Sequence, residues 1–210
     1  MDRIPGGPFY FAVAWGLRPV TRAWFGLKVV GRENLAGLPP RGRGVITVSN
    51  HVAGLDSVMV AGQLLPRRCA FTAQPQNFQL PVAGRLVAAL GCLATPRRGD
   101  EGDAARFLAE VGDRLSRGWA VHYFPEGHLV PYCRQVREFR PGAFNAAVRF
   151  QAPVLPLRFT WEEPGPIRRL LRRRPRAVLH ILPPQHPAGE GRADALELME
   201  RTRRLLVEAA

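Results

Sequence analysis

An apolar run, Val45-Ile46-Thr47-Val48, leads directly into Ser49-Asn50-His51, and Asp56 stands five positions beyond the histidine. An imidazole beside a carboxylate is a proton-transfer unit. The carboxylate accepts from one ring nitrogen, fixes the tautomer and stabilises the imidazolium, while the other nitrogen takes a proton from a hydroxyl or thiol. On one straight helix a five-residue offset turns the two side chains apart, at about 100° per residue. A loop with Gly54 as its flexible turn brings them together. Taken alone, the pair also has a plain structural reading, with Asp56 as a helix N-cap and His51 as a polar loop residue.

Three further stretches carry groups that bind or orient a substrate. Phe124-Pro125-Glu126-Gly127-His128 places an acid immediately past a second apolar run, beside a glycine that permits close backbone approach. Arg97 and Arg98 follow the short apolar stretch after Gly91; paired guanidiniums receive a phosphate in bidentate fashion, or simply form a solvated basic loop. Arg140, in Phe139-Arg140-Pro141-Gly142, stands just ahead of a predicted helix start, where anions are attracted.

The elements that must position these residues follow from periodicity. Strands are predicted at Val45–Val48, Phe71–Thr72, Trp119–Phe124, Val154–Thr160 and Ala177–Leu182. Helices are predicted at Asp56–Leu65, ahead of Pro66, and at Phe78–Leu90, Asp103–Ser116 and Gly142–Phe150. A terminal helix at Asp194–Val207 has Asp194 and Glu197 at capping-box spacing. Alternation of this kind predicts one α/β domain with a central mixed, largely parallel sheet flanked by helices. In such folds the chemistry gathers in loops at the carboxyl ends of strands, where His51 and Glu126 both fall. Residues 1–28 read as an N-terminal amphipathic helical segment and 29–210 as the domain. Phe9, Trp15, Trp24 and Phe25 mixed with Arg18 and Arg22 suit a helix lying in a membrane interface, or one packed on the core.

Composition narrows the classes. In 210 residues, Lys+Arg number 30 against 17 Asp+Glu, a formal charge of +13 that favours an anionic partner. Lys28 is the only lysine. The apolar fraction of 46% suits a packed core and argues against disorder. Cys69, Cys92 and Cys133 are odd in number and lack zinc-ligand spacing, which disfavours a disulfide scaffold and points to a reducing compartment. No metal cluster is visible. No secretory signal is evident at Met1-Asp2-Arg3, and no run approaches the ~20 apolar residues of a membrane span. Nucleic acid is one anionic partner to weigh, but helix-turn-helix, RNP and zinc signatures are absent. A Gly-x-Ser-x-Gly elbow is absent too, against a serine hydrolase.

Taken together, these stretches resemble the glycerolipid acyltransferases typified by 1-acyl-glycerol-3-phosphate acyltransferase. The family's first block, Asn-His followed by four residues and Asp, is matched by Asn50, His51 and Asp56. Its second, a glycine, a short apolar stretch and an arginine, is matched by Gly91 and Arg97. Phe124, Pro125, Glu126 and Gly127 match the third, and Pro153-Val154-Leu155-Pro156-Leu157 the fourth. Gly31–Asn34 adds a family-like stretch before block one, and the resemblance covers most of the chain from about Val29. Two departures stand out. His128-Leu129-Val130 replaces Thr-Arg-Ser after block three, and Pro96 stands where aspartate is usual.

The resemblance implies acyl transfer from a thioester to a lipid hydroxyl, with His51 as general base and Asp56 as its orienting partner. It implies that Asn50, Arg97, Glu126, Gly127 and Arg140 serve substrate binding. Arg97 holds the acceptor's phosphate, and Arg134, Arg137 or Arg140 stands in for the missing block-three arginine. Acyl-CoA or acyl-carrier protein is the co-substrate, with no bound cofactor and no nucleic acid. The acceptor is lysophosphatidate, another lysophospholipid or a different hydroxylated lipid; a non-catalytic lipid-binding relative is the rival. The location implied is cytoplasmic, peripheral on the inner face of the cell membrane. A basic amphipathic stretch at Pro166–Arg174, with Ile167, Leu170 and Leu171 among Arg168, Arg169, Arg172 and Arg173, offers a second membrane contact.

Overall fold

A computed structural model describes residues 7–97, 99–163, 165–171 and 175–209. Arg98 and the basic run Arg172–Arg174 lie outside the described residues, as do Met1-Asp2-Arg3, so the second membrane contact enters only through the helix Pro166–Leu171. Seven strands form one sheet: β1 (Lys28–Val30), β2 (Val45–Ser49), β3 (Cys69–Ala73), β4 (Leu93–Ala94), β5 (Ala120–Tyr123), β6 (Val154–Glu162) and β7 (Arg176–Ile181). Their order is β1-β7-β6-β2-β5-β3-β4, and every neighbouring pair is parallel except β6 with β7. The expected mixed, largely parallel sheet is therefore present.

The strand at the centre explains itself. Val45–Ser49 is buried at all five positions, because helices cover both faces and an alternating polar side would have no solvent to reach. Val45 and Leu155 face α1 (Gly7–Phe25) and α2 (Asp56–Leu64), in a cluster with Tyr10, Ala14, Met59 and Val60. Ile46, Val48 and Val121 face the other way, toward α4 (Glu101–Ser116), α5 (Gly142–Arg149) and α7 (Arg192–Glu208). α4 starts where the Asp100 side chain accepts from the Asp103 amide at 2.9 Å. It ends just before Gly118, whose φ of +75° and close approach to the Arg41 carbonyl leave no room for a side chain.

Several expectations shift. The single helix expected at Phe78–Leu90 is a short 3-10 turn, Pro75–Gln79, followed by α3 (Ala83–Ala89). Pro81 separates them, since proline cannot donate to the preceding turn and restricts the residue before it. Val82 and Leu86 are left exposed rather than buried. α7 begins two residues early, with Asp194 not as N-cap but in the first turn, accepting from the Gly191 amide at 2.8 Å. The N-terminal segment packs on the core along one side. Tyr10 and Ala14 are buried, and the Tyr10 hydroxyl accepts from the Cys69 amide at 3.0 Å, while Phe9, Trp15, Val20 and Trp24 face outward. No helix among the described residues is long and apolar enough to cross a membrane. α6 (Pro166–Leu171) follows β6.

Candidate functional site

The site lies where β2 and β5 end side by side. Val48 pairs with Tyr123 in parallel register, so the segments that follow, Asn50–Asp56 and Phe124–His128, leave the sheet at one edge. β6 runs farther than its neighbour, and its extension is tied to the first of these segments. The Asn50 side-chain amide donates to the Phe159 carbonyl at 2.9 Å and its oxygen accepts from the Phe159 amide at 2.8 Å.

His51 and Asp56 meet without help from glycine. Gly54 is not among the glycines with left-handed backbone. Instead one oxygen of Asp56, Oδ2, accepts from the Val52 and Ala53 amides at 2.7 and 2.9 Å, closing the turn from within. This carboxylate reaches backward rather than forward, so Asp56 is the first helical residue and not the N-cap. The same oxygen takes the His51 Nδ1 hydrogen at 2.9 Å. Asp56 is fully buried, and that desolvation raises its pKa against the opposing pull of the His51, Ala53 and Val52 hydrogen bonds. With Nδ1–H donated, His51 keeps Nε2 as its base atom.

The imidazole is also held by its face. Phe124 stacks on it with ring centroids 3.9 Å apart and planes 17° from parallel. Behind Phe124 lies His122, edge-on at 4.6 Å, completely buried and pushed down to about pKa 3 by that burial, with the nearby His51 adding to the effect. Ser49 Oγ already donates to the Asn50 carbonyl, so it accepts from His122 Nε2 at 3.2 Å, and Nδ1 accepts from Thr47 Oγ1 at 2.8 Å. His122 is thus a neutral, fully bonded support.

Glu126 is buried and turned away from the cavity. Its carboxylate accepts from the His51 amide at 3.3 Å, from the Arg137 amide at 3.1 Å, and from Arg137 Nε and Nη2 at 3.0 and 2.6 Å. Arg137 Nη1 also reaches His128 Nε2 at 2.6 Å. Gly127 has φ +83°, and a side chain there would sit 2.8 Å from the Arg140 guanidinium carbon. Arg140, anchored by its amide on the Pro125 carbonyl at 2.9 Å, is exposed and in no ion pair among the described residues.

A cavity of about 1450 Å³ opens on His51, Phe124, Gly127, His128 and Arg140. The structure therefore brings His51, Gly127 and Arg140 to one space. It places Asn50 and Glu126, expected to touch substrate, outside the cavity lining, where the Phe159 backbone holds the first and His51 and Arg137 hold the second. Arg97 is exposed and does not line the cavity, which on that side is walled by Thr95 and Pro96. Sequence reasoning missed His122, Phe124 as a stacking partner, and Arg137 as the partner of Glu126. A lone histidine inside an apolar strand was the available sign for the first; Arg137 had none. Among the described residues no group of three or more His, Cys, Asp or Glu side chains is placed to hold a metal ion.

A family model described as Acyltransferase matches residues 26–160. The human protein named 1-acyl-sn-glycerol-3-phosphate acyltransferase beta is 32% identical over 122 residues, covering 55% of this chain and 41% of the relative. The human alpha form is 30% identical over 119 residues, 56% of this chain and 41% of the relative. The aligned region thus spans about two fifths of the curated relatives. The crystal structure of the 1-acyl-sn-glycerophosphate (LPA) acyltransferase PlsC from Thermotoga maritima shares the fold, with a TM-score of 0.66 at 22% identity, covering 95% of this chain and 79% of that one.

Proposed function

This chain belongs to the acyltransferase family, and from that premise we propose that it is an O-acyltransferase moving a fatty acyl group from a thioester to the free hydroxyl of a lysophospholipid. The observation that carries the reading is the His51–Asp56 pair, with Asp56 buried and bonded to Nδ1 and His51 lining the cavity. The acceptor hydroxyl gives its proton to His51 Nε2 as its oxygen attacks the thioester carbonyl. The tetrahedral intermediate collapses, the carbon–sulfur bond breaks, and the thiolate leaves with the proton that His51 held. No acyl-enzyme forms. Buried Asp56 stabilises the imidazolium between the two proton transfers.

Lysophosphatidate is the acceptor we propose, with phosphatidate as product. The names of the relatives support it, and so does Arg140, which lines the same cavity as His51 and forms no ion pair among the described residues. The donor is acyl-CoA or acyl-carrier protein. Both substrates carry lipid chains, and α1 supports a peripheral station on an anionic membrane, on its cytoplasmic face. Its outer surface shows Phe9, Trp15, Val20 and Trp24 with Arg22.

The test is transfer from labelled acyl-CoA, or acyl-carrier protein, to lysophosphatidate in mixed micelles, with wild type and His51→Ala side by side. Wild type makes phosphatidate, and the variant loses at least ~100-fold, the usual contribution of a positioned general base. A His51→Ala protein that keeps wild-type activity overturns the mechanism.

A further inference from the structure

The cavity is not confined to one side of the sheet. From His51 it extends under α1 and α2, where Val13 and Ala61 line it, and in the other direction along α5 to Asn145, Arg149, Gln151 and Arg192. The first direction is apolar and suits a hydrocarbon chain. The second is a strip that mixes the apolar Phe107, Leu108 and Val148 with Asn145 and Gln151, and ends in two arginines. A thioester whose carbonyl sits at His51 must send its acyl chain one way and its thiol carrier another.

The far end of this strip is built rather than incidental. Gln151 holds a left-handed backbone at φ +46°, which an ordinary residue adopts only at a cost. Its side-chain amide donates to the Val148 carbonyl at 2.8 Å and to the Gly189 carbonyl at 2.9 Å. That pins the end of α5 to the loop before α7 and sets Arg149 and Arg192 on one rim. Among the described residues neither guanidinium forms an ion pair. Glu190 shares the rim, whereas the Asp194 carboxylate is occupied by the Gly191 amide. The eight residues of α5 span about 12 Å, so the arginines stand well beyond bonding reach of the reacting carbonyl. A long, slender carrier with an anion at its distal end fits that spacing.

Resting on the acyltransferase reading, we propose that the α5 strip receives the 4′-phosphopantetheine arm of the acyl donor, and that Arg149 and Arg192 bind its phosphate. Coenzyme A and acyl-carrier protein share this group. Arg140, beside His51, is left to the acceptor.

The experiment compares acyl-pantetheine, acyl-4′-phosphopantetheine, acyl-CoA and acyl-carrier protein as donors for wild type, Arg149→Ala, Arg192→Ala and the double variant. Arg204→Ala, exposed and outside the cavity, is the control for lost surface charge. In wild type the phosphate raises kcat/KM over acyl-pantetheine by about 10- to 100-fold, as charge-assisted bonds do. In the double variant that ratio falls toward one, while the KM for lysophosphatidate stays put. Which of acyl-CoA and acyl-carrier protein loses more identifies the source of the arm. Equal losses with and without the phosphate, or no loss, overturn the proposal and leave the acyltransferase reading standing. Should no donor support transfer, that reading fails on its own. Calorimetric titration of coenzyme A then decides the subsite: binding at least tenfold weaker in the double variant supports it, and unchanged binding refutes it.

Discussion

Acidification should cost this protein stability through one histidine that never touches substrate. His122 is completely buried, and its folded-state pKa lies at about 3, against an ordinary value of 6.5 in the unfolded chain. Between those values the unfolded state binds a proton that the folded state refuses. The contribution is therefore complete above pH 6.5 and is lost as pH falls from 6.5 toward 3. From neutrality to pH 5 the chain passes through about one and a half of those units, worth roughly 2 kcal/mol at about 1.4 kcal/mol each. His51, Thr47, Ser49, Phe71 and Phe124 surround the ring, and of these only His51 can carry charge. Urea unfolding at pH 7 and pH 5 reads the effect directly. His122→Asn keeps an oxygen for the Thr47 hydroxyl and removes the titration. The variant starts less stable, by about 1–3 kcal/mol for the disturbed bonds, but it should lose about 2 kcal/mol less than wild type on acidification. Parallel pH profiles for the two proteins would refute the assignment of His122 as a neutral buried base.

Asp56→Asn should cut acyl transfer by about 10²–10⁴-fold, because an amide neither fixes the His51 tautomer nor steadies its charge; steady-state rates over a pH range check it. Gly127→Ala should destabilise by ~1–2 kcal/mol, the cost of a left-handed alanine, with the exposed Arg140 guanidinium free to shift aside; thermal melts measure this. Trp15→Ser should weaken binding to anionic vesicles in sedimentation assays and leave urea stability within about 1 kcal/mol, since the ring faces outward and gives up only its contact with Arg18.

β2, β3, β5, β6 and β7 were readable because β-branched and apolar runs bounded by Gly, Pro and charge leave few alternatives. β1 and β4 were not, since three and two residues carry no period. In the site, the residue types of block one and block three pointed to the right edge of the sheet. Their roles did not follow from spacing. Asn50 and Glu126 look like ligands in one dimension because both are polar and belong to the same blocks as His51 and Gly127. What spends their hydrogen bonds comes from elsewhere in the chain: Phe159 lies 109 residues from Asn50, and Arg137 lies 11 from Glu126 across a loop. Pairings of that kind are decided by tertiary packing, which local pattern does not encode.

The double hydrogen bond between Asn50 and the Phe159 backbone bears on when order is imposed. A histidine on a free loop would have to surrender its conformational freedom each time substrate arrived, and the binding energy would be reduced by that amount. Here the residue just before His51 is stitched to a nine-residue strand of the central sheet. The loss of freedom is met once, during folding, and every later encounter finds the imidazole already aimed. The Phe159 amide should accordingly be among the slowest in the molecule to exchange with solvent hydrogen, opening only when the sheet itself comes apart.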